Sequence, residues 1–437
     1  MTQHQLFSAS ATTRVSAVYA ALFSITCLSL VYLPLWFVQV GLTTAQVGTV
    51  LAVAAVAKVP MTLLSGTVAD LLSKRKGVLL CAGTLLVLAM PVLFVVRDWF
   101  WLCVCWALLG GLISTCIPLT DSIAVTTVQR EGASYGRMRM WGSLFFLVTS
   151  LTAGWFIRDM GDNALVYLLS FAAVVLLCCL VGLPDYIPKS TELVFTDNSA
   201  VANPLSASEN YSIAAENKPV AAENKLLVAE NKLAAGLIAR GRNLLVIGLL
   251  PVIRLPGFVV FLGCAATLMA SHAALYSLST VYWTSAGISP PVIGMLWAVG
   301  VVAEIGFFFI ARTLVSKWDP WQLLLIAGAA GMLRWTITAL VTDVQILFVV
   351  QMMHAITFTF TQLAVVTYIG NEVPEHLTST AQSLYDSCAL GIVFGLALYI
   401  SGSLSAIDVP WSFFAMAVMS AIGCGLAAYK LCRRHCE

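Results

Sequence analysis

The chain has 437 residues, of which 60% are hydrophobic and only 10% charged, with a formal net charge of +2. Soluble domains run at about 45–50% apolar and about 25% charged residues, so this composition excludes most soluble enzymes, disordered chains and disulfide scaffolds. The near-neutral balance also argues against a nucleic-acid partner, which needs a basic patch. A polytopic protein whose partner is the lipid bilayer remains.

A membrane-crossing helix needs about 20 apolar residues. In chain order, apolar stretches of that length lie near 15–40, 45–70, 77–96, 99–125, 136–158 and 163–183. A second set lies near 256–286, 290–314, 320–341, 344–370, 377–403 and 409–431. The expected fold is therefore an all-α polytopic membrane protein with twelve transmembrane helices in two six-helix halves. The first half is residues 1–183 and the second is 255–437. Residues 184–254 form a linker of different composition, in which Ala-Glu-Asn-Lys recurs at 215–218, 222–225 and 229–232. That spacing puts Glu and Lys on one helical stripe but gives no sustained apolar seam. A partly helical, mostly mobile cytoplasmic linker is expected, with an apolar segment at 243–250 that is too short to span and lies at the membrane surface.

With both termini inside, all of the 23 basic residues except Lys58, Arg97, Arg158 and Arg334 fall on the cytoplasmic side or in its flanks. Excess positive charge in cytoplasmic loops sets that orientation. The 12 cysteines lie almost entirely in apolar runs without zinc spacing, so they read as small core residues. No phosphate-binding loop, metalloprotease helix or nucleophile elbow is present. No enzyme activity, metal or cofactor is expected, and an ion or substrate gradient is left as the energy source.

An internal repeat connects the halves. Gly41-Leu42 through Val47-Gly48 leads into Ala52-Val53 and on to Lys58, while Gly287-Ile288 through Ile293-Gly294 leads into Ala298-Val299 and on to Glu304. The spacing is the same throughout, without a gap. Duplicated halves around a midplane site are a transporter layout.

An ionisable group at the bilayer centre costs roughly 2.5–3.5 kcal/mol on insertion scales, so such groups are the main functional candidates. Lys58, Asp121, Glu304, Arg334 and Asp386 lie inside spans, with His272 and His354. The hairpin between spans 4 and 5 brings Asp121 and Arg139 to similar depth, as a structural ion pair or a coupling element. Lys58 and Asp386 both lie roughly 15 Å from the inner boundary at 1.5 Å per residue. Their pairing is a gate if the spans belong to different halves and a staple if they do not. Glu304 has no polar neighbour in sequence and is suited to taking and releasing a proton; its structural alternative is a pair with Arg139 or Arg312. His272 and His354 are hydrogen-bonded core groups, substrate contacts or proton relays. Arg334 either snorkels outward toward Asp343 or attracts an anion. Tyr282 and Trp283 fit an interfacial aromatic belt, whereas Tyr32, Trp36 and Tyr276 sit deeper and are placed to stack on an aromatic ring.

Gly66-Thr-Val-Ala-Asp70-Leu-Leu-Ser-Lys74-Arg75 resembles the loop signature of the major facilitator superfamily, departing at Leu71 and Ser73. Pro118-Leu-Thr-Asp121, Tyr135-Gly-Arg-Met-Arg139-Met-Trp141-Gly-Ser143, His272-Ala-Ala-Leu-Tyr276, Gly300-Val-Val-Ala-Glu304, Arg334-Trp335 and His354-Ala-Ile-Thr-Phe358 more closely resemble the 3-phenylpropionate permease group, relatives of the nucleoside–proton symporters. The resemblance implies a proton-coupled symporter, importing a small aromatic carboxylate across a bacterial inner membrane as a monomer. It implies coupling at Glu304, with Asp386 and His354 as further proton-site candidates by their depth. By depth and residue type the substrate candidates are Tyr32, Trp36, His272, Tyr276, Arg334 and His354, and the gating candidates are Lys58, Asp70, Lys74, Arg75, Asp121 and Arg139. It also implies span 2 beside span 11 and span 5 beside span 8, hence Lys58–Asp386 and Arg139–Glu304 as contacts between halves. A nucleoside symporter uses the same machinery. Efflux antiporters carry a glycine–proline motif in span 5, and span 5 here has no proline. A membrane sensor signalling through the linker is the reading from another class.

Overall fold

The computed structural model describes residues 10–72, 74–161, 163–186, 250–315, 318–374 and 377–436. The described residues form helices and connecting turns, with no strand among them. The linker repeats and most of the surface segment expected at 243–250 lie outside the described residues.

Twelve helices are long and apolar enough to cross a membrane. In the first half these are α1 (Ala11–Gln39), α2 (Thr44–Gly66), α3 (Arg75–Phe94), α4 (Trp99–Glu131), α5 (Tyr135–Met160) and α6 (Ala164–Val181). In the second half they are α7 (Phe258–Ser285), α8 (Pro290–Phe307), α9 (Pro320–Leu340), α10 (Val344–Glu372), α11 (Thr380–Ser405) and α12 (Val409–Arg433). Each expected span is present, with ends shifted by a few residues where capping groups decide them. Asp98 starts α4 by accepting from the backbone N–H groups of Phe100 and Trp101, and Asp319 starts α9 with a reciprocal capping box to Gln322. Lys76 closes α6 by donating to the carbonyls of Val181 and Leu183 at 2.9 and 2.7 Å, as a cation at a helix C-terminus does.

The duplicated hairpin is visible in the backbone. Gly41 and Gly287, which match in the repeat, turn with φ of +101° and +84°, a region where a side chain is strained. The next matched pair, Gly48 and Gly294, lies where helices of opposite halves meet. A Cβ on Gly48 would lie 2.5 Å from the Gly402 Cα of α11, and one on Gly294 would lie 2.0 Å from the Ser150 carbonyl oxygen of α5. Small residues let helix backbones approach without a hydrophobic driving force between them.

The halves therefore meet along α2–α11 and α5–α8, as the resemblance implied, and also along α1–α7. Thr280 donates to the Val31 carbonyl at 2.5 Å, and Ser150 donates to the Gly294 carbonyl at 2.8 Å. These contacts lie toward the membrane side opposite the termini. At mid-depth, Gly391 and Gly395 of α11 receive Val59 and Val56 of α2.

Four of the helices around the centre are irregular. A π-helical turn occupies Leu28–Tyr32 in α1 and another occupies Asp386–Val393 in α11. α7 is interrupted at Ser271–His272, and α10 at Met353 and Phe358. Such breaks survive in a bilayer only where protein or a cavity receives the freed backbone groups.

The seam predicts a sharp difference between two glycines of α8. Gly294→Ala should lower the melting temperature of detergent-solubilised protein by several degrees, from overpacking of about 1–3 kcal/mol. Gly306→Ala, whose Cβ meets nothing within 4 Å, should leave it unchanged or raise it.

Candidate functional site

A cavity of about 200 Å³ sits between the halves. α1 and α5 contribute Phe23, Leu30, Ser143 and Phe146. α7 and α8 contribute Leu275, Tyr276, Trp297, Gly300, Val301 and Glu304, and α10 contributes Gln351, His354 and Phe358. Aromatic faces make up much of the wall: Tyr276 stacks on Trp297 at 5.6 Å, and Phe358 on His354 at 5.0 Å. The ionisable groups all lie on the wall of the second half.

Those groups form one connected set. Arg334 of α9 is fully buried, at 0% exposure. Its Nη1 donates to Thr357 Oγ1 at 2.8 Å and to His354 Nδ1 at 3.2 Å, and its Nη2 donates to Gln351 Oε1 at 2.9 Å. A guanidinium has donors only, so His354 Nδ1 must be an acceptor and the ring proton sits on Nε2. That nitrogen faces Glu304 Oε2 at 3.5 Å. The charge of Arg334 thus reaches Glu304 through a neutral imidazole. The expected outward reach of Arg334 toward Asp343 does not occur: three acceptors on α10 hold it inward, behind the cavity wall.

His272 is also fully buried. Its Nδ1 faces the carbonyls of Met269 and Leu268 at 3.1 and 3.3 Å, and its Nε2 faces Thr357 Oγ1 at 3.1 Å. Of its alternatives, the hydrogen-bonded core group is the one the geometry fits. The sequence reading missed Gln351 and Thr357. Their only signal was polarity within an apolar span, spaced to share the helix face of His354.

The first half uses its charge differently. Asp121 of α4 accepts from Arg139 at 3.2 Å, from Tyr135 at 3.0 Å and from Tyr19 of α1. Arg139 lies over the rings of Tyr19 and Phe23. The expected Arg139–Glu304 contact is therefore replaced: Arg139 is held on Asp121 inside its own half, and Glu304 turns to His354. The alternative partner Arg312 has a side chain outside the description, as does Asp70. Lys74 is exposed at the turn between α2 and α3, and Arg75 opens α3. Lys58 and Asp386 lie within electrostatic reach of each other across the α2–α11 seam, and Asp386 accepts from Gln382 at 3.2 Å.

The aromatic expectations divide. Tyr276 lines the cavity, but Tyr32 and Trp36 do not. Tyr32 is spent on the Ser150 carbonyl at 2.8 Å, and Trp36 packs on Phe37. Trp283 is fully buried instead of lying in an interfacial belt. A larger groove of about 900 Å³ opens between α1, α5 and α6, but Arg137 and the Cys179 thiol are its only ionisable groups. Among the described residues no cluster of His, Cys, Asp or Glu is placed to hold a metal ion.

The Asp121 cluster gives a stability prediction. Asp121→Asn should lower the melting temperature, since Arg139 and two phenols share that carboxylate. Adding Tyr19→Phe should cost less than its effect alone, because groups on one acceptor are not additive.

The model of the MFS_1 like family matches residues 12–425. The "Probable 3-phenylpropionic acid transporter" of Escherichia coli is 27% identical over 89% of this chain and 91% of its own length. The "Uncharacterized transporter YwbF" of Bacillus subtilis is 20% identical over 89% and 86%. Among solved structures, a mutant of the nucleoside transporter NupG superposes with a TM-score of 0.71 at 16% identity, covering 96% of this chain and 99% of that one. With its twelve spans and its matched family model, the chain belongs to the MFS_1-like family of major facilitator superfamily transporters and is a multi-pass inner-membrane protein, not an enzyme.

Proposed function

We propose that this protein is a proton-coupled symporter that imports a small aromatic carboxylate such as 3-phenylpropionate. The observation that carries the reading is the cavity itself. The second-half wall holds Glu304 and His354 in front of a buried guanidinium, among the rings of Tyr276, Trp297 and Phe358, and the first half faces them with Phe23 and Phe146. A flat apolar ring suits the aromatic faces and an anion suits the polar cluster between them. The likeness to a full-length relative named for phenylpropionic acid supports the same class. A cavity of about 200 Å³ is below the usual range of about 300–1,000 Å³ for drug-sized ligands, which favours a single-ring solute over a nucleoside.

In this reading the termini face the cytoplasm, in keeping with the positive-inside bias. The tight α2–α11 and α5–α8 seams then lie toward the outer side. Glu304 is the proton site and His354 its partner. Lys58 and Asp386 form the charge pair that separates and rejoins as the halves rock.

Proteoliposomes with an imposed pH gradient provide the test. Wild-type protein should accumulate labelled 3-phenylpropionate beyond the level of protein-free vesicles, a control that removes passive entry of the neutral acid. Glu304→Gln should lose uphill accumulation yet keep substrate exchange. Gradient-driven accumulation by Glu304→Gln equal to wild type would contradict the reading.

A further inference from the structure

Arg334 does more than balance a charge. Because it only donates, it fixes the polarity of both neighbours that reach the cavity wall. Gln351 gives its Oε1 to Arg334, so its Nε2 amide is the end left over. That Nε2 is buried without a hydrogen-bond partner, in a side chain that is 97% covered and lines the cavity. His354 gives its Nδ1 to Arg334, so its Nε2–H is the donor end, turned to Glu304 Oε2 at 3.5 Å. The indole N–H of Trp297, on the same cavity, has no partner. A buried donor left unsatisfied costs about 1–3 kcal/mol, and the unpartnered Gln351 amide beside the loosely held His354 N–H, both bound from behind by one guanidinium, form a receptor for an anion.

We propose that Gln351 and His354 are the carboxylate receptor of this cavity, and that Glu304 occupies the His354 donor whenever no substrate anion does. Arg334 is the positioning residue: it touches neither anion, but holds both donors pointed at the cavity. This rests on the proposed function and adds its stoichiometry. Two carboxylates cannot share one imidazole N–H in a water-poor site, since like charges a few ångströms apart disfavour joint ionisation. Entry of the substrate carboxylate therefore requires Glu304 to take one proton from water at its Oε2. His354 cannot take that proton at Nδ1 while Arg334 donates there. The loaded cavity carries the same net charge as the empty one, so each anion crosses with one proton and the cycle is electroneutral.

The groups facing Glu304 support a single titrating site. From α10 it meets His354, and from α7 it feels Tyr276. Arg334 of α9 stands behind His354. α5 packs against α8, but its cation Arg139 is held on Asp121. From α1 the cavity receives Phe23 and Leu30, which carry no charge.

The test is proton counting on the purified full-length protein. 3-Phenylpropionate is added in weakly buffered solution, and the pH change is read beside calorimetric binding. Wild type should take up one proton per anion bound when Glu304 starts ionised. Glu304→Gln should bind with no proton uptake and an affinity flat in pH. Gln351→Leu should weaken binding about tenfold while leaving the count at one. Wild-type binding without proton uptake would overturn the proposal. A count of two would overturn it as well, because His354 would then titrate with Glu304 despite Arg334. Absence of any binding of aromatic carboxylates would instead overturn the functional reading on which it rests. The wild-type count decides even if a variant fails to fold.

Discussion

A guanidinium buried in the middle of a membrane protein, with no carboxylate touching it, constrains much of the second half. Arg334 has no exposure to solvent, and isolated charges are costly in hydrocarbon. Its compensation comes from α10, where Gln351, His354 and Thr357 supply three acceptors on one face. To present them, α10 departs from regular helix at Met353 and Phe358, and α7 does so at Ser271–His272. Ser271 then receives the Trp335 indole N–H at 3.2 Å, and His272 reaches Thr357. The breaks of α7 and α10 are thus gathered around one cation, where side chains and the cavity satisfy what the helices give up.

The two halves descend from one hairpin pattern but use it for different ends. Lys58 and Glu304 occupy matched positions in the repeat. Lys58 faces Asp386, within electrostatic reach, across the seam between halves. Glu304 meets His354 within its own half. The first half closes its remaining charges on themselves, with Arg139, Tyr135 and Tyr19 all spent on Asp121. The second half leaves donors unspent at the cavity.

Much of the fold was legible because hydropathy and loop charge report directly on the bilayer. The spans and the matched turn glycines Gly41 and Gly287 follow from residues whose physical demand is local, whereas the seams at Gly48 and Gly294 came only with the family resemblance. The site was legible only as a set of suspects. Glu304, His354, Arg334 and Tyr276 stood out because polar groups in apolar runs are expensive, but their partners did not. A helix that is apolar on every side carries little information about which face meets which neighbour. The resemblance matched Arg139 to Glu304 across the α5–α8 seam, whereas the hairpin between spans 4 and 5 had already put Arg139 level with Asp121, the partner it takes. For the same reason Trp283 read as an interfacial ring although it is buried, and Tyr32 as a stacking surface although it donates to the Ser150 carbonyl of α5. Gln351 escaped notice because it is neutral, and its importance lies in what Arg334 does to its orientation.

That orientation is where structure and chemistry join. A cation facing the cavity directly would hold any anion strongly in every state of a cycle, and tight binding that does not differ between states shifts no equilibrium. Setting the guanidinium one residue back moderates its pull and divides it between two neutral donors. One of those donors is contested by Glu304, at 3.5 Å. In the proposed cycle, occupancy by a substrate carboxylate and ionisation of Glu304 then become alternatives, and a single proton decides between them. On that proposal, the depth at which Arg334 is buried is part of how the cavity distinguishes its loaded from its empty state.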